Sequence, residues 1–218
     1  MKKLKKKIIG ILSQKNFEEK LDEICQLPPR QVVNPLFSLF YNAEEIIKWR
    51  AVTAMGAVVS GLAESDTESA RVIMRRLMWN LNDESGGIGW GSPEAMGEIM
   101  ARNRTLAEEY HRILISYIRE DGNFIEHEIL QRGVLWGLGR LAHARPELVR
   151  DAAPLLLPYL ASEDAAIRGI AAWTAAAVDA EATRPLLGSL VNDMEKITIF
   201  MDGQLVERSV SQLSQTLF

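Results

Sequence analysis

Apolar residues recur at helical spacing from residue 35 to residue 194, and short polar, glycine-containing or proline-containing segments interrupt them. This pattern predicts a series of helical hairpins. We expect outer helices over residues 35–41, 68–81, 106–119 and 147–160. We expect inner helices over residues 44–62, 93–101, 125–142 and 164–178. A fifth outer helix, over residues 182–193, has no inner helix after it.

One short phrase recurs at the start of the inner helices. It reads Trp49-Arg50-Ala51-Val52, then Gln131-Arg132-Gly133-Val134, then Ile167-Arg168-Gly169-Ile170, with a degenerate copy at Pro93-Glu94-Ala95-Met96. Each complete copy places an arginine before a small residue and a β-branched residue. The spacing of roughly 36 to 44 residues is that of a two-helix solenoid repeat.

This pattern resembles the HEAT superfamily, including its PBS-lyase-type members, whose repeats carry an aspartate or asparagine turn, then valine-arginine, then an alanine-rich helix. Residues 160–168 (LASEDAAIR) carry that pattern here. The resemblance covers about three quarters of the chain and implies an all-α, right-handed α-solenoid of about four to five helical pairs. Residues 81–94 (LNDESGGIGWGSPE) also look like the signature of an uncharacterised bacterial family of such proteins, which brings no assigned activity.

Both ends of the chain depart from the repeat pattern. An open solenoid exposes an apolar face at each terminus, so we expect residues 1–33 and 195–218 to cap a repeat domain over residues 34–194. In the C-terminal segment Asp202-Gly203 is a turn pair that predicts a small β-hairpin, followed by a final helix through Leu213 and Leu217.

Charge and cysteine content narrow the function classes. The net charge is −4, yet five of the first seven residues are lysine, so the rest of the chain is strongly acidic. An acidic body repels phosphate backbones, which disfavours a nucleic-acid partner. The lysines are interpreted as the solvated face of a first helix, with weak membrane-surface contact as the open alternative. No apolar run predicts a transmembrane segment, and the single cysteine, Cys25, fits a reducing cytoplasm and a buried position beside Ile24.

Two turns between outer and inner helices are long, over residues 83–92 and 120–128. Parallel stacking of repeats makes them neighbours on one rim, and such insertions often form the recognition face. We expect Trp90, among four glycines, to lie at the surface there, and Ser92 to cap the next helix. The rim is predicted to be either a solvated acidic edge or a docking surface for a basic segment. A metal site is disfavoured, because adjacent side chains at residues 126–128 cannot share one helical face.

Two sets of side chains on the inner helices have both a structural and a binding interpretation. Arg50, Arg132 and Arg168 could form a ladder, and structural pairing with acidic turns is the favoured use. Trp49, Trp136 and Trp173 are interpreted chiefly as packing between repeats. The candidate partner-binding residues are therefore Trp90, Asp83, Glu84, Glu94, Glu126, His127, Glu128, Arg132, Trp136 and Arg168.

The sequence shows no catalytic, cofactor or metal constellation, so it favours a protein-interaction scaffold that binds a protein or peptide, basic in one reading, through the concave face and the acidic rim. Two other classes remain open. HEAT-like DNA glycosylases use tryptophans, an aspartate and an arginine on a basic concave face, and Trp136, Trp173, Arg132 and Arg168 occupy plausible inner positions, although the acidic body opposes this reading. Tetrapyrrole lyase-like chaperones share the fold alone.

Overall fold

The computed structural model describes residues 2–82 and 89–215. Within these ranges the N-terminal half consists of α1 (Lys2–Leu12), α2 (Phe17–Cys25), α3 (Pro29–Leu39), α4 (Glu45–Ser65), α5 (Thr67–Leu81) and α6 (Ser92–Arg102). The C-terminal half consists of α7 (Arg104–Ser116), α8 (Glu128–Ala144), α9 (Leu157–Leu160), α10 (Ala165–Val178), α11 (Arg184–Ser189), β1 (Lys196–Met201), β2 (Gln204–Ser209) and α12 (Val210–Leu213).

The helices pair and stack as a solenoid. Helix α6 packs between α4 and α8, and α8 packs against α10, so the four inner helices form one continuous layer. The outer layer is α3, α5, α7 and the segment before α10. The predicted all-α solenoid with a C-terminal hairpin is confirmed.

The closest approach in the inner layer is between α6 and α8. A Cβ atom on Gly97 would lie 2.4 Å from the Cα atom of Gly137. This clash is with backbone, so a side-chain rotation cannot relieve it. Only glycine at these positions lets the two helices touch backbone to backbone, and this contact fixes which side chains of α6 and α8 meet.

Two outer elements differ from the sequence prediction because of proline. The fourth outer helix is replaced by 3₁₀ segments, Pro146–Leu148 and Arg150–Leu156, and by the short α9. Pro154 and Pro158 lack the N–H that a continuous α-helix would need at those positions. Helix α3 starts earlier than predicted, at Pro29, because proline in a first turn loses no hydrogen bond.

The hairpin lies across the concave face rather than only on the last repeat. Its turn residues Asp202 and Gly203 have φ of 48° and 73°, the left-handed pair that matches strand twist. Strand β1 and helix α12 pack on α10, while the turn reaches the first repeat, where Gly203 lies beside Glu18 of α2. The expected cap is thus also a strap from the last repeat to the first.

Helix α4, at 21 residues with mean hydropathy 1.3, has the length and composition of a membrane span. The most apolar part of this helix is 67% buried inside the protein, as in the core helix of a folded domain.

Removal of the chain after Asn192 should cause self-association. It would remove Ile197, Ile199 and Phe200, each less than 7% exposed, and uncover the apolar surface on which they pack, including Trp49 and Trp136. Repeat interfaces of this kind resemble half of a protein core. Light scattering should report oligomers or aggregates, and a truncated chain that stays monomeric and melts within a few degrees of the full chain would refute this role.

Candidate functional site

A row of aromatic rings crosses the concave face beneath the hairpin. Trp49 of α4 lies 4.8 Å from Trp136 of α8, and Phe200 of β1 stacks on Trp49 at 5.2 Å with an interplanar angle of 8°. The row continues through Trp173 of α10, 6.1 Å from Trp136, to His143, 4.6 Å from Trp173. The tryptophans therefore pack between repeats and hold the hairpin.

Trp136 is engaged within the chain. Its indole Nε1 donates a hydrogen bond of 3.0 Å to the backbone oxygen of Phe200, and the residue is only 3% exposed. The hairpin covers most of the Trp136 ring, so a protein partner cannot dock on it as the sequence analysis expects, and only a small part of the residue reaches the cavity described below.

The ladder arginines are also bound internally. Arg50 donates to the backbone oxygens of Leu12, Gln14 and Gly203, which joins the N-terminal helices to the hairpin turn. Arg132 pairs with Asp164 of the next repeat.

Arg168 pairs with Asp193 and Glu195, both at 2.8 Å, and its guanidinium also donates to the backbone oxygen of Ser162. Arg132 and Arg168 therefore serve packing between successive repeats. Arg132, Arg168 and Trp136 are three of the four residues on which the DNA-glycosylase reading depends, and the fourth, Trp173, is 6% exposed.

A cavity of about 360 Å³ remains open on the concave face beside the hairpin. It lies toward the C-terminal ends of the inner helices α6 and α8. Glu98 of α6 lines the cavity and is only 3% exposed. Each carboxylate oxygen of Glu98 accepts one hydrogen bond of 2.6 Å, from Nε of Arg102 and from Nε of Arg140. One buried carboxylate thus orients two guanidinium groups at the cavity wall.

His143 and Trp173 also line this cavity. Desolvation against the neighbouring helices lowers the pKa of His143, which favours the neutral ring at physiological pH. Trp173 is 6% exposed, and its indole Nε1 has no hydrogen-bond partner among the described residues.

The start of α6 differs from the predicted acidic rim. Glu94 is only 5% exposed, and its Oε2 atom has no partner in the described part of the chain. Burial raises the pKa of the Glu94 carboxyl, against smaller opposing effects of Lys48 and nearby backbone N–H groups. Glu94 is therefore not an exposed rim residue.

The residues around Glu94 also correct the prediction. The N-cap of α6 is Gly91, with φ of 77°, and Ser92 is the first helical residue, whose buried hydroxyl has no partner among residues 2–82 and 89–215. Trp90 is half-buried and packs against the core, with its ring 6.4 Å from that of Tyr41 and 5.7 Å from Lys48 Nζ. The expectation of a surface-exposed Trp90 is therefore wrong.

The rest of the rim is exposed as expected. Glu126, His127 and Glu128 are all exposed at the start of α8. Asp83 and Glu84 lie outside the described residues. A groove of about 620 Å³ lies between the third and fourth repeats. Its lining residues include Glu120, Asp121, Phe124, Pro158 and Tyr159.

Neither a metal cluster nor a nucleophile–base pair emerges from the residues described. Residues 2–82 and 89–215 contain no group of three His, Cys, Asp or Glu side chains that could hold a metal ion. Cys25 is exposed rather than buried, which corrects its predicted position.

Comparison with known proteins agrees with this architecture. Residues 128–174 match the HEAT-like repeat. An uncharacterized protein of Archaeoglobus fulgidus is 31% identical over 186 residues, which cover 82% of this chain and 91% of that protein. The chain belongs to the HEAT-like repeat proteins, in one family with this archaeal relative.

Two solved structures resemble this HEAT-like protein in fold. An engineered protein has a TM-score of 0.51 at 16% identity, with 88% of this chain and 90% of the other covered. A designed armadillo repeat protein in complex with the peptide (KR)4 has a TM-score of 0.50 at 18% identity, with 87% and 92% covered. At these identities the likeness shows the fold alone.

The Glu98 cluster was missed by sequence reasoning. A weak signal was present, since Glu94 and Glu98 lie one turn apart on a helix otherwise rich in small and apolar residues. The partners of Glu98 could not be read from the sequence, because Arg140 is 42 positions away.

Trp90→Ala should destabilise the protein, contrary to what an exposed residue would do. Loss of a half-buried indole packed on Tyr41 should cost about 2 kcal/mol, which lowers Tm by about 4–8 °C in a chain of this size. Trp79→Ala is the matched control, since Trp79 is 75% exposed and should leave Tm nearly unchanged. Equal effects of the two substitutions in thermal unfolding would contradict this placement.

Glu94→Gln should change the pH dependence of stability. The folded state holds the Glu94 proton to higher pH than the unfolded chain, so stability is full below the ordinary pKa of 4.5 and falls as pH rises through the folded pKa. The neutral amide removes that decline. Urea unfolding should show a flatter profile and a more stable variant near neutral pH, whereas exposed Glu126→Gln should retain the wild-type slope.

Proposed function

We propose that this HEAT-like protein is a non-catalytic interaction scaffold that binds a basic segment of a protein partner at the groove between its third and fourth repeats. The observation that carries the proposal is an apolar groove with an unneutralised acidic edge. The hairpin covers the centre of the concave face, so the rim is the more accessible surface. The cytoplasm, favoured by the single cysteine, is the proposed compartment.

The groove offers apolar contacts to a partner. Phe124 is 37% exposed and Ile129, just outside the groove, is 46% exposed, although both are large apolar side chains. Pro154, Pro158 and Tyr159 form the opposite wall. Exposed apolar side chains grouped around a groove and bordered by charge are typical of interaction sites.

The electrostatics of the edge favour a cation. Asp121 is paired with Arg119 at 2.7 Å. Glu120, Glu126 and Glu128, in contrast, have no ion-pair partner within residues 2–82 and 89–215. Glu120 lines the groove, and Glu126 and Glu128 follow its lining residue Phe124 closely in the chain. Unpaired carboxylates in this segment attract a lysine-rich or arginine-rich segment and accelerate its encounter.

The comparison with designed repeat proteins supports the partner class. The armadillo protein with a TM-score of 0.50 was solved with the basic peptide (KR)4, so a solenoid of this shape can accommodate such a peptide. In the present chain, the acidic residues at the groove are the reason to propose a basic partner as well.

The test uses fluorescein-labelled (KR)4 in fluorescence anisotropy at low and physiological salt. Neutralisation of the edge by Glu120→Gln, Glu126→Gln and Glu128→Gln together should weaken binding by about fivefold or more, because close charge pairs set much of the affinity. The matched control is Glu44→Gln, Glu147→Gln and Glu181→Gln, three exposed acids elsewhere with the same total charge change.

The apolar wall is tested with a second peptide in which two positions of (KR)4 are leucine. Phe124→Ala should weaken this peptide more than (KR)4 itself while leaving Tm within a few degrees. Equal weakening by both acidic triple variants would show that only net charge matters, and the proposed site would then be wrong.

A further inference from the structure

We infer that the cavity on the concave face, beside the hairpin, binds a small flat organic carboxylate between the two guanidinium groups held by Glu98 and the rings of Trp136 and Trp173. This site is separate from the rim groove and does not depend on the proposed function. Its volume of about 360 Å³ falls in the range of small-molecule sites.

The guanidinium groups supply the anion contact. Arg102 and Arg140 each use Nε to bind Glu98, and their Nη nitrogens have no partner in the described ranges. Their side chains are 32% and 31% exposed and line the cavity. Two cations share one buried carboxylate, so a second carboxylate would complete the charge pairing with the fork geometry that arginine favours.

The aromatic wall supplies the flat apolar contact. Trp136, Trp173 and Phe200 all line the cavity, and His143 extends the surface by stacking on Trp173. The rings of Trp136 and His143 already stack on Trp173, and its Nε1 is buried, so a ligand in the cavity meets the edges of these rings. A flat ring can pack against those edges while its carboxylate faces the arginines.

Glycines let the side chains of the cavity wall occupy their positions. A Cβ on Gly56 of α4 would lie 2.4 Å from Cγ of Glu98, and one on Gly139 of α8 would lie 2.5 Å from the Trp173 ring. Any other residue would push the carboxylate or the indole away from its present place. The anion clamp and the aromatic wall are therefore products of the same tight packing between inner helices.

Acidic groups line the same cavity and limit its ligands. Glu18 and Asp202 lie where the hairpin turn meets α2, and Arg50 interacts with Glu18. Because Glu98 is already paired with two arginines, the excess positive charge lies at the Arg102–Arg140 wall. A monoanionic ring acid should orient its carboxylate toward that wall and away from the turn.

The experiment is a titration of the ¹⁵N-labelled full chain with benzoate, followed through its five tryptophan indole N–H signals, assigned by Trp→Phe substitution. The signals of Trp136 and Trp173 should shift, with a Kd on the order of 1 mM for so small a probe. Benzamide, which has the same shape without the charge, should bind at least about tenfold more weakly, because a charged hydrogen-bond partner is lost.

Arg140→Gln should weaken benzoate by about tenfold or more. Arg102→Gln, at a more exposed helix end, provides the same test if the first variant does not fold. Arg104→Gln is the matched control, since Arg104 forms an exposed pair with Glu108 on α7 and should not change binding. Thermal unfolding of each variant checks that the fold is retained.

Three outcomes would overturn the inference. The first is an absence of shifts at Trp136 and Trp173 at benzoate concentrations well above that Kd. The second is equal binding of benzoate to the Arg140→Gln and Arg104→Gln variants. The third is tighter binding of benzylammonium than of benzoate, which would assign the cavity to Glu18 and Asp202 instead.

Discussion

The contact between α6 and α8 at Gly97 and Gly137 is the constraint on which the inner layer depends. Backbone contact at this point leaves no room for side chains between the helices, so the larger residues of α6 and α8 meet on either side of it. On the concave side this brings Arg140 onto Glu98, across 42 positions of sequence. A buried carboxylate is costly unless it is fully bonded, and here two guanidinium groups provide that bonding.

The hairpin follows from how a repeat array ends. The last repeat lacks an inner helix, and the chain covers its apolar surface by turning back along the concave face instead of adding another helical pair. The hairpin is held there by hydrogen bonds to the inner helices. The Trp136 indole N–H donates to the Phe200 carbonyl, and Arg50 donates to the Gly203 carbonyl. The same contacts make the hairpin a tie between the first and last repeats, so the array is more cooperative than an open stack of independent repeats.

Local signals in the sequence predicted most of the secondary structure. The helical period located α4, α8 and α10 within a few residues, and Asp202-Gly203 located the hairpin turn, because both signals act over short distances. The position of the hairpin depends on contacts between residues up to 153 positions apart, which periodicity does not encode. The errors at Trp90 and Glu94 have one cause: a glycine-rich turn predicts an open loop, whereas Trp90 packs back on the core and Glu94 is buried beside Gly133.

The two proposed binding surfaces, the rim groove and the concave cavity, differ in charge and in how strongly salt should screen their contacts. Glu128 and Arg140 are separated by about 18 Å along α8, more than twice the Debye length of about 8 Å at physiological ionic strength. Exposed carboxylates at the rim are therefore screened from the arginines of the concave cavity, and the two sites can select ligands of opposite charge on a single helix. Salt should weaken contacts at the open rim more than contacts in the partly enclosed cavity, where Glu98 and the aromatic rings exclude much of the solvent. In these two proposals, the length of α8 is what separates a site for cations from a site for anions.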